Sequence, residues 1–157
     1  MPRSRQKPQS ASHNPMESMP PEFWQGVDQF NHHQFYACHD TLEALWMEAP
    51  QPEKRFYQGV LQVAVGLYHF GNHNWRGAVI SMGEGLGRLQ AYLPDYAGLD
   101  IEAFVTETHH LLKVLQAQGA DAIAHLYQQM TQVGAVPGEN APAFPVLRKL
   151  GEPSVIE

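Results

Sequence analysis

His39 and Glu43 stand four positions apart in the run Cys38-His39-Asp40-Thr41-Leu42-Glu43. In a helix that spacing puts two side chains on one face, one turn from each other. An imidazole beside a carboxylate has two chemical uses. The carboxylate can orient the ring and stabilise its protonated form, making the histidine a general base. Alternatively, both groups turn lone pairs toward a cation. On a helical wheel His39 falls inside an apolar stripe of Phe35, Leu42 and Trp46, and Glu43 falls at its flank beside Tyr36. A polar pair aimed partly into a core needs hydrogen-bond partners or it costs stability. The spacing is far less specific than a His-Glu-x-x-His zinc signature, and taken alone it favours a structural hydrogen bond that ties helices together.

Gln58, Gln62 and His69 project from nearly one line of the next helical segment, opposite its apolar stripe. Such a line is a solvated face unless another helix covers it. Gly59 beside Gln58 would permit close helix approach, so coverage is expected at Gln58 and exposure at Gln62. With His69 included, a divalent metal held by His39, Glu43 and His69 is a further arrangement that the residues leave open.

The other histidines read more plainly. His32 and His33 fall in a turn, His13 in a polar terminus, His125 on a short helix, and His109 and His110 on the side or back of a longer one. Glu107 and His110 give one Glu-x-x-His element, whereas a di-iron bundle needs two such elements and two further glutamates, all pointing inward. Cys38 adjoins His39, but helical neighbours point about 100° apart, which argues against a Cys–His nucleophile pair. There is no Gly-rich phosphate loop and no serine elbow.

The elements that must carry these groups read as helices. Pro20-Pro21 opens the first, with Phe23, Trp24, Val27 and Phe30 as its stripe, and Asn31-His32-His33 turns the chain with Asn31 as the left-handed candidate. The second runs from about Gln34 to Glu48, until Ala49-Pro50-Gln51-Pro52 breaks it. Glu53 to Phe70 forms the third, stopped by Gly71. Asn74 caps the fourth, which runs to Leu93 before Pro94; its glycines Gly77, Gly83, Gly85 and Gly87 cost helicity and are expected to serve close helix contact. Asp100 caps the fifth, which ends at Gly119, and a short sixth spans Asp121 to Val133. No segment alternates with period two, so no sheet is expected. The reading is all-α: an antiparallel bundle of five or six short-looped helices. It occupies residues 20–134, between a flexible tail over 1–19 and a non-helical arm over 135–157 in which Phe144, Val146, Leu147 and Leu150 can dock.

Composition narrows the function classes. The chain of 157 residues is long enough for one domain with a real core. Its net charge is −6 with only 10 Lys and Arg, three of them (Arg3, Arg5 and Lys7) in the tail, which argues against a nucleic-acid partner. No apolar run approaches the roughly 20 residues that a bilayer demands, so no membrane partner is expected. Cys38 is the single cysteine, which rules out an intrachain disulfide and a cysteine-based zinc site. A polar, Pro/Ser-rich start without an apolar stretch points to a cytoplasmic protein.

The stretch Phe30-Asn31-His32-His33-Gln34-Phe35-Tyr36-Ala37-Cys38-His39-Asp40-Thr41-Leu42-Glu43-Ala44-Leu45-Trp46 resembles the signature of the domain-of-unknown-function family 309. The likeness continues through Arg55-Phe56-Tyr57-Gln58-Gly59-Val60-Leu61-Gln62, Leu67-Tyr68-His69, Gly71-Asn72 and Gly77-Ala78, and covers about Phe23 to Tyr92. His33 or Gln34 stands where the family usually has glycine, Cys38 replaces alanine and Asp40 replaces glutamate. The resemblance implies a small helical bundle without an established activity, and retention of the family's equivalents of His39, Glu43 and Gln58. It thereby favours a shared polar pocket of His39, Glu43, Trp46 and Gln58 that binds a divalent metal ion or a small polar ligand. The competing expectation is a helical interaction or homo-oligomer module in which the His–Glu pair is structural.

Overall fold

The computed structural model describes residues 19–132 and 141–151. The expected tail, apart from its last residue, and much of the expected C-terminal arm lie outside the described residues.

Helix α1 spans Pro21–Asn31, with Pro21 in the first turn, where a missing N–H costs nothing. Phe23, Val27 and Phe30, at helical spacing, are its buried side chains. Helix α2 follows at Phe35–Glu48 and buries Phe35, Cys38 and Leu42. The left-handed step between them falls on His33 (φ 62°) rather than on Asn31, which stays helical. The reason is that the reversal comes only after the last helical carbonyls are satisfied: His33 N–H donates to Phe30 O at 2.9 Å and Gln34 N–H to Gln29 O at 2.8 Å.

Helix α3 (Glu53–Gly71) is the central element and buries residues along its whole length, from Phe56 to Phe70. Gly71 is its last residue rather than its stop, and His73 (φ 60°) takes the left-handed step. Helix α4 spans Trp75–Leu89, and the Asn74 side chain caps it by accepting from Gly77 N–H at 3.0 Å. Two of its four glycines serve close contact. A Cβ on Gly85 would sit 2.7 Å from Gly59 O, and one on Gly77 would sit 2.6 Å from Asn74 Nδ2, while at Gly83 and Gly87 it would meet nothing within 4 Å among the described residues.

Helix α4 ends four residues earlier than its apolar period suggested. A 3-10 turn over Gln90–Tyr92 tightens the chain and buries Tyr92, whose hydroxyl donates to Pro52 O at 2.6 Å. The expectation of no sheet is corrected by a small hairpin, β1 (Asp95–Tyr96) against β2 (Leu99–Asp100). Ala97 (φ 55°) and Gly98 (φ 80°) are both left-handed, as a type I′ two-residue turn requires. Strands of two residues are too short to show alternation. Helix α5 (Ile101–Gln118) starts with Asp100 accepting from Ala103 N–H at 3.0 Å and ends at Gly119 (φ 85°). The expected sixth helix divides into a 3-10 turn (Ala120–Ala122) and α6 (Ile123–Thr131).

These six helices make the described fold predominantly all-α, with sequence neighbours from α1 to α5 packed against each other. None is long and apolar enough to cross a membrane. Phe23, Phe30, Phe56, Phe70 and Phe104 are its largest fully buried side chains.

A 40-residue offset relates the first two hairpins. Asn72, His73, Asn74 and Ala78 N–H donate to Tyr68, Phe70, His69 and Asn74 O. At the same offset, His32, His33, Gln34 and Cys38 N–H donate to Asp28, Phe30, Gln29 and Gln34 O. Gly26 of α1 faces Leu42 of α2, and Gly66 of α3 faces Met82 of α4. Phe30 and Phe70 are both 0% exposed. The α1–α2 and α3–α4 hairpins are thus two copies of one structural unit.

Candidate functional site

The second turn of α2 carries the polar cluster. One ligand atom each from His39, Asp40 and Glu43 lies within 4.8 Å of the other two. His39 is half-buried, and Asp40 and Glu43 are exposed. The ring is not inside the core. Cys38, one position earlier, takes the core direction at 0% exposure, and burial pushes its thiol up to about 12. A protonated, buried thiol is no nucleophile.

His39 Nδ1–H donates to Asp40 Oδ1 at 3.3 Å, a long bond. A carboxylate only accepts, so this contact requires a proton on Nδ1; in the neutral ring, Nε2 then carries the lone pair. No hydrogen bond joins His39 to Glu43. Glu43 faces solvent with its carboxylate uncommitted among the described residues, which argues against a His–Glu bond that ties helices together. Asp40 is the member that sequence reasoning left out. Its signal was available: Asp40 and Glu43 are three apart and share a face.

The other expected members lie in different surroundings. Trp46 is engaged with α3: Lys54 Nζ sits 4.4 Å from its ring centroid and donates to Trp46 O at 2.7 Å. His69 does not join the cluster. Its Nδ1 pairs with Asn74 Nδ2 at 3.3 Å, and its ring packs where a Cβ on Gly77 would be, at 2.8 Å. Among the described residues the grouping of possible metal ligands is His39, Asp40 and Glu43, and His69 is not in it.

Gln58 and Gln62 are both half-buried, so burial does not separate them as the sequence suggested. Gln62 Nε2 donates to Glu84 Oε1 at 3.2 Å, and its Oε1 is buried without a partner among the described residues. The close approach at Gly59 is real, a Cβ there meeting Leu89 at 2.9 Å, but the approaching helix α4 reaches over Gln62. Glu107 is also committed elsewhere, accepting from Val146 N–H at 3.0 Å, which removes the lone Glu-x-x-His element from consideration.

Beside the cluster lies an aromatic patch. Tyr36 is 58% exposed and Tyr68 is 40% exposed. Their ring centroids are 5.2 Å apart, and Tyr36 is 6.2 Å from the His39 ring.

Comparison with known proteins locates this region. Over 58 residues the chain is 40% identical to the Uncharacterized protein YpuF of Bacillus subtilis (strain 168), an alignment covering 36% of this chain and 33% of that protein. The chain therefore spans about a third of the length of that curated relative. Residues 23–81 match the family model described as Domain of unknown function (DUF309), so the likeness covers α1 to α3, the start of α4 and the whole His39–Asp40–Glu43 turn.

Proposed function

We propose that this protein is a helical binding module whose α2 presents an open site for a divalent metal ion, with His39, Asp40 and Glu43 as its ligands. The observation that carries the reading is the convergence of three potential ligand atoms within 4.8 Å on one helical turn. One imidazole and two carboxylates suit manganese, iron or zinc better than magnesium, which prefers oxygen alone. Three protein ligands leave coordination positions for water or for an oxygen of a small polar ligand. The test is calorimetric titration of tag-free protein with Mn²⁺ and Zn²⁺. A single saturable site, lost in His39→Ala and weakened in Glu43→Gln, is expected. Absence of saturable heat with both ions overturns the reading.

The exposed Tyr36–Tyr68 pair favours a second reading, an interaction or homo-oligomer module. Tyrosines offer large contact area at little entropic cost, which is why they concentrate in interfaces. A mass by sedimentation that rises with concentration, and falls back in Tyr36→Ala, supports it. A monomer at all concentrations counts against the homo-oligomer.

A further inference from the structure

Tyr36, His39, Asp40 and Glu43 stand at i, i+3, i+4 and i+7 along α2, the spacing of a single helical stripe. The candidate metal ligands therefore share their face with an aromatic ring, and α3 brings a second ring up beside it. The Tyr36 and Tyr68 centroids are 5.2 Å apart with their planes at 42°, and the Tyr36 ring meets the His39 ring at 6.2 Å and 34°. The imidazole and the two phenols thus form one continuous run of rings that begins at the ligand cluster.

Core packing does not account for these two rings. Tyr57 and Tyr92 are buried and pack on Phe56, whereas Tyr36 and Tyr68 are exposed. The 40-residue offset between the first two hairpins puts Arg76 at the position of Tyr36 and Asp28 at that of Tyr68, and all four side chains are exposed. A hairpin of this design therefore accepts charged residues at both positions, and its folding does not call for an aromatic at either. What the pair offers is flat apolar surface directly beside three possible metal ligands. Charge narrows what can rest there. In a chain of net charge −6, Asp40 and Glu43 repel an anion. A divalent ion balances their two charges, and its open coordination positions attract an oxygen donor. The occupant that uses both halves is a small acid carried on a ring. Its oxygens take the metal, and its ring packs on the tyrosines in the offset or edge-on arrangement that aromatic pairs prefer.

We propose that the α2 site takes a small aromatic acid, its carboxylate and a neighbouring oxygen on the metal and its ring against Tyr36 and Tyr68. This rests on the metal-site reading above and names the ligand class of that site. The metal supplies the attraction for the acid, and the tyrosines supply the choice between an aromatic acid and an aliphatic one.

The test titrates the full chain, loaded with Mn²⁺ or Zn²⁺, with mandelate and with lactate in a calorimeter. Both acids present a carboxylate and a hydroxyl on the next carbon, and they differ only in a phenyl against a methyl group. Saturable, metal-dependent binding is expected, with mandelate tighter by about tenfold, the order that two aromatic contacts supply. Tyr36→Ala and Tyr68→Ala should each reduce that preference to less than about threefold. A chain that takes up the metal but binds the two acids equally, or binds neither, overturns the ligand class and leaves the metal reading standing. A chain that takes up neither ion overturns both. Mandelate binding that persists in EDTA, or a preference unchanged in both variants, puts the acid elsewhere and overturns the proposal. A chain without the preference that sediments as a dimer assigns the tyrosines to self-association instead. The wild-type comparison of the two acids is decisive by itself, so the outcome does not depend on whether the variants fold.

Discussion

The two hairpins share their backbone and differ in their chemistry. Where α2 has His39, Asp40 and Glu43, the 40-residue offset puts Val79, Ile80 and Gly83 on α4, and burial matches position by position: half-buried, exposed, exposed. One unit thus carries an imidazole and two carboxylates where the other carries an aliphatic pair and a glycine. A hairpin of this design folds without a polar residue at any of the three positions. Its requirements lie elsewhere, in the Phe at the end of the first helix, the Gly one turn before it, the left-handed His and the large residue facing the Gly. The hairpin's folding therefore does not require the polar cluster, which is consistent with the proposed binding role.

If the two hairpins are one unit, their terminal phenylalanines should be equally indispensable. Phe30→Ala and Phe70→Ala each empty a fully buried site and should each cost about 3–5 kcal/mol in denaturant melts. A cost confined to Phe70 would break the comparison. The glycines should separate the units. A Cβ on Gly66 would lie 2.6 Å from Met82 Cγ and 3.0 Å from Met82 N, so backbone must move, whereas one on Gly26 meets only side-chain atoms of Leu42 and Thr41, at 3.0 Å and beyond. Gly66→Ala is expected to cost about 1–3 kcal/mol through overpacking. Gly26→Ala should fall within about 0.5 kcal/mol of neutral, because the roughly 1 kcal/mol gained in helix propensity offsets a small side-chain adjustment. Equal costs would mean that α1 and α2 pack as rigidly as α3 and α4.

Most helices were legible because their apolar period and caps agree: Pro21, Asn74 and Asp100 each start a helix where the sequence placed one. The repeat was legible too, in Gly26/Gly66, Phe30/Phe70 and His33/His73, but only to a reading that compares the chain with itself before dividing it into elements. The β1–β2 hairpin was hidden because two-residue strands carry no period, and its turn uses Ala97 as well as Gly98, although the backbone there favours Gly or Asn. At the candidate site, the wheel puts His39 and Glu43 on one face, and a ligand atom of each lies within 4.8 Å of the other. The wheel misjudged depth, because Cys38 rather than His39 points into the core, and it could not foresee that His69 would be taken by Asn74 across the next turn. Those are tertiary pairings, and nothing local to His69 announces them.

Exchanging chemistry between the units sharpens the assignment. His39→Val with Asp40→Ile installs on α2 the side chains that α4 carries at the same positions. Stability should change by less than about 0.5 kcal/mol, the usual range for surface substitutions, while saturable binding of Mn²⁺ or Zn²⁺ disappears. A loss of several kcal/mol would return the cluster to a structural role.

The smallest expected effect is a pH dependence at His33, the left-handed residue of the first hairpin. His33 packs against Phe35 at 5.3 Å, nearly parallel, and against Phe144 at 4.4 Å. Desolvation there, and then the charge of neighbouring His32, lower its pKa below the ordinary histidine value of 6.5. The folded state thus favours neutral His33. Its contribution is fully present above the unfolded pKa and is lost as pH falls from there through the folded value. Asparagine tolerates the left-handed backbone, so His33→Asn removes the titrating ring without straining the turn. Between pH 7.5 and pH 5 the wild-type melting temperature should fall by more than that of His33→Asn. The difference is expected to be modest, because the His33 ring remains partly in water. Parallel melting profiles for the two proteins would show that the aromatic seat does not sense the charge on His33.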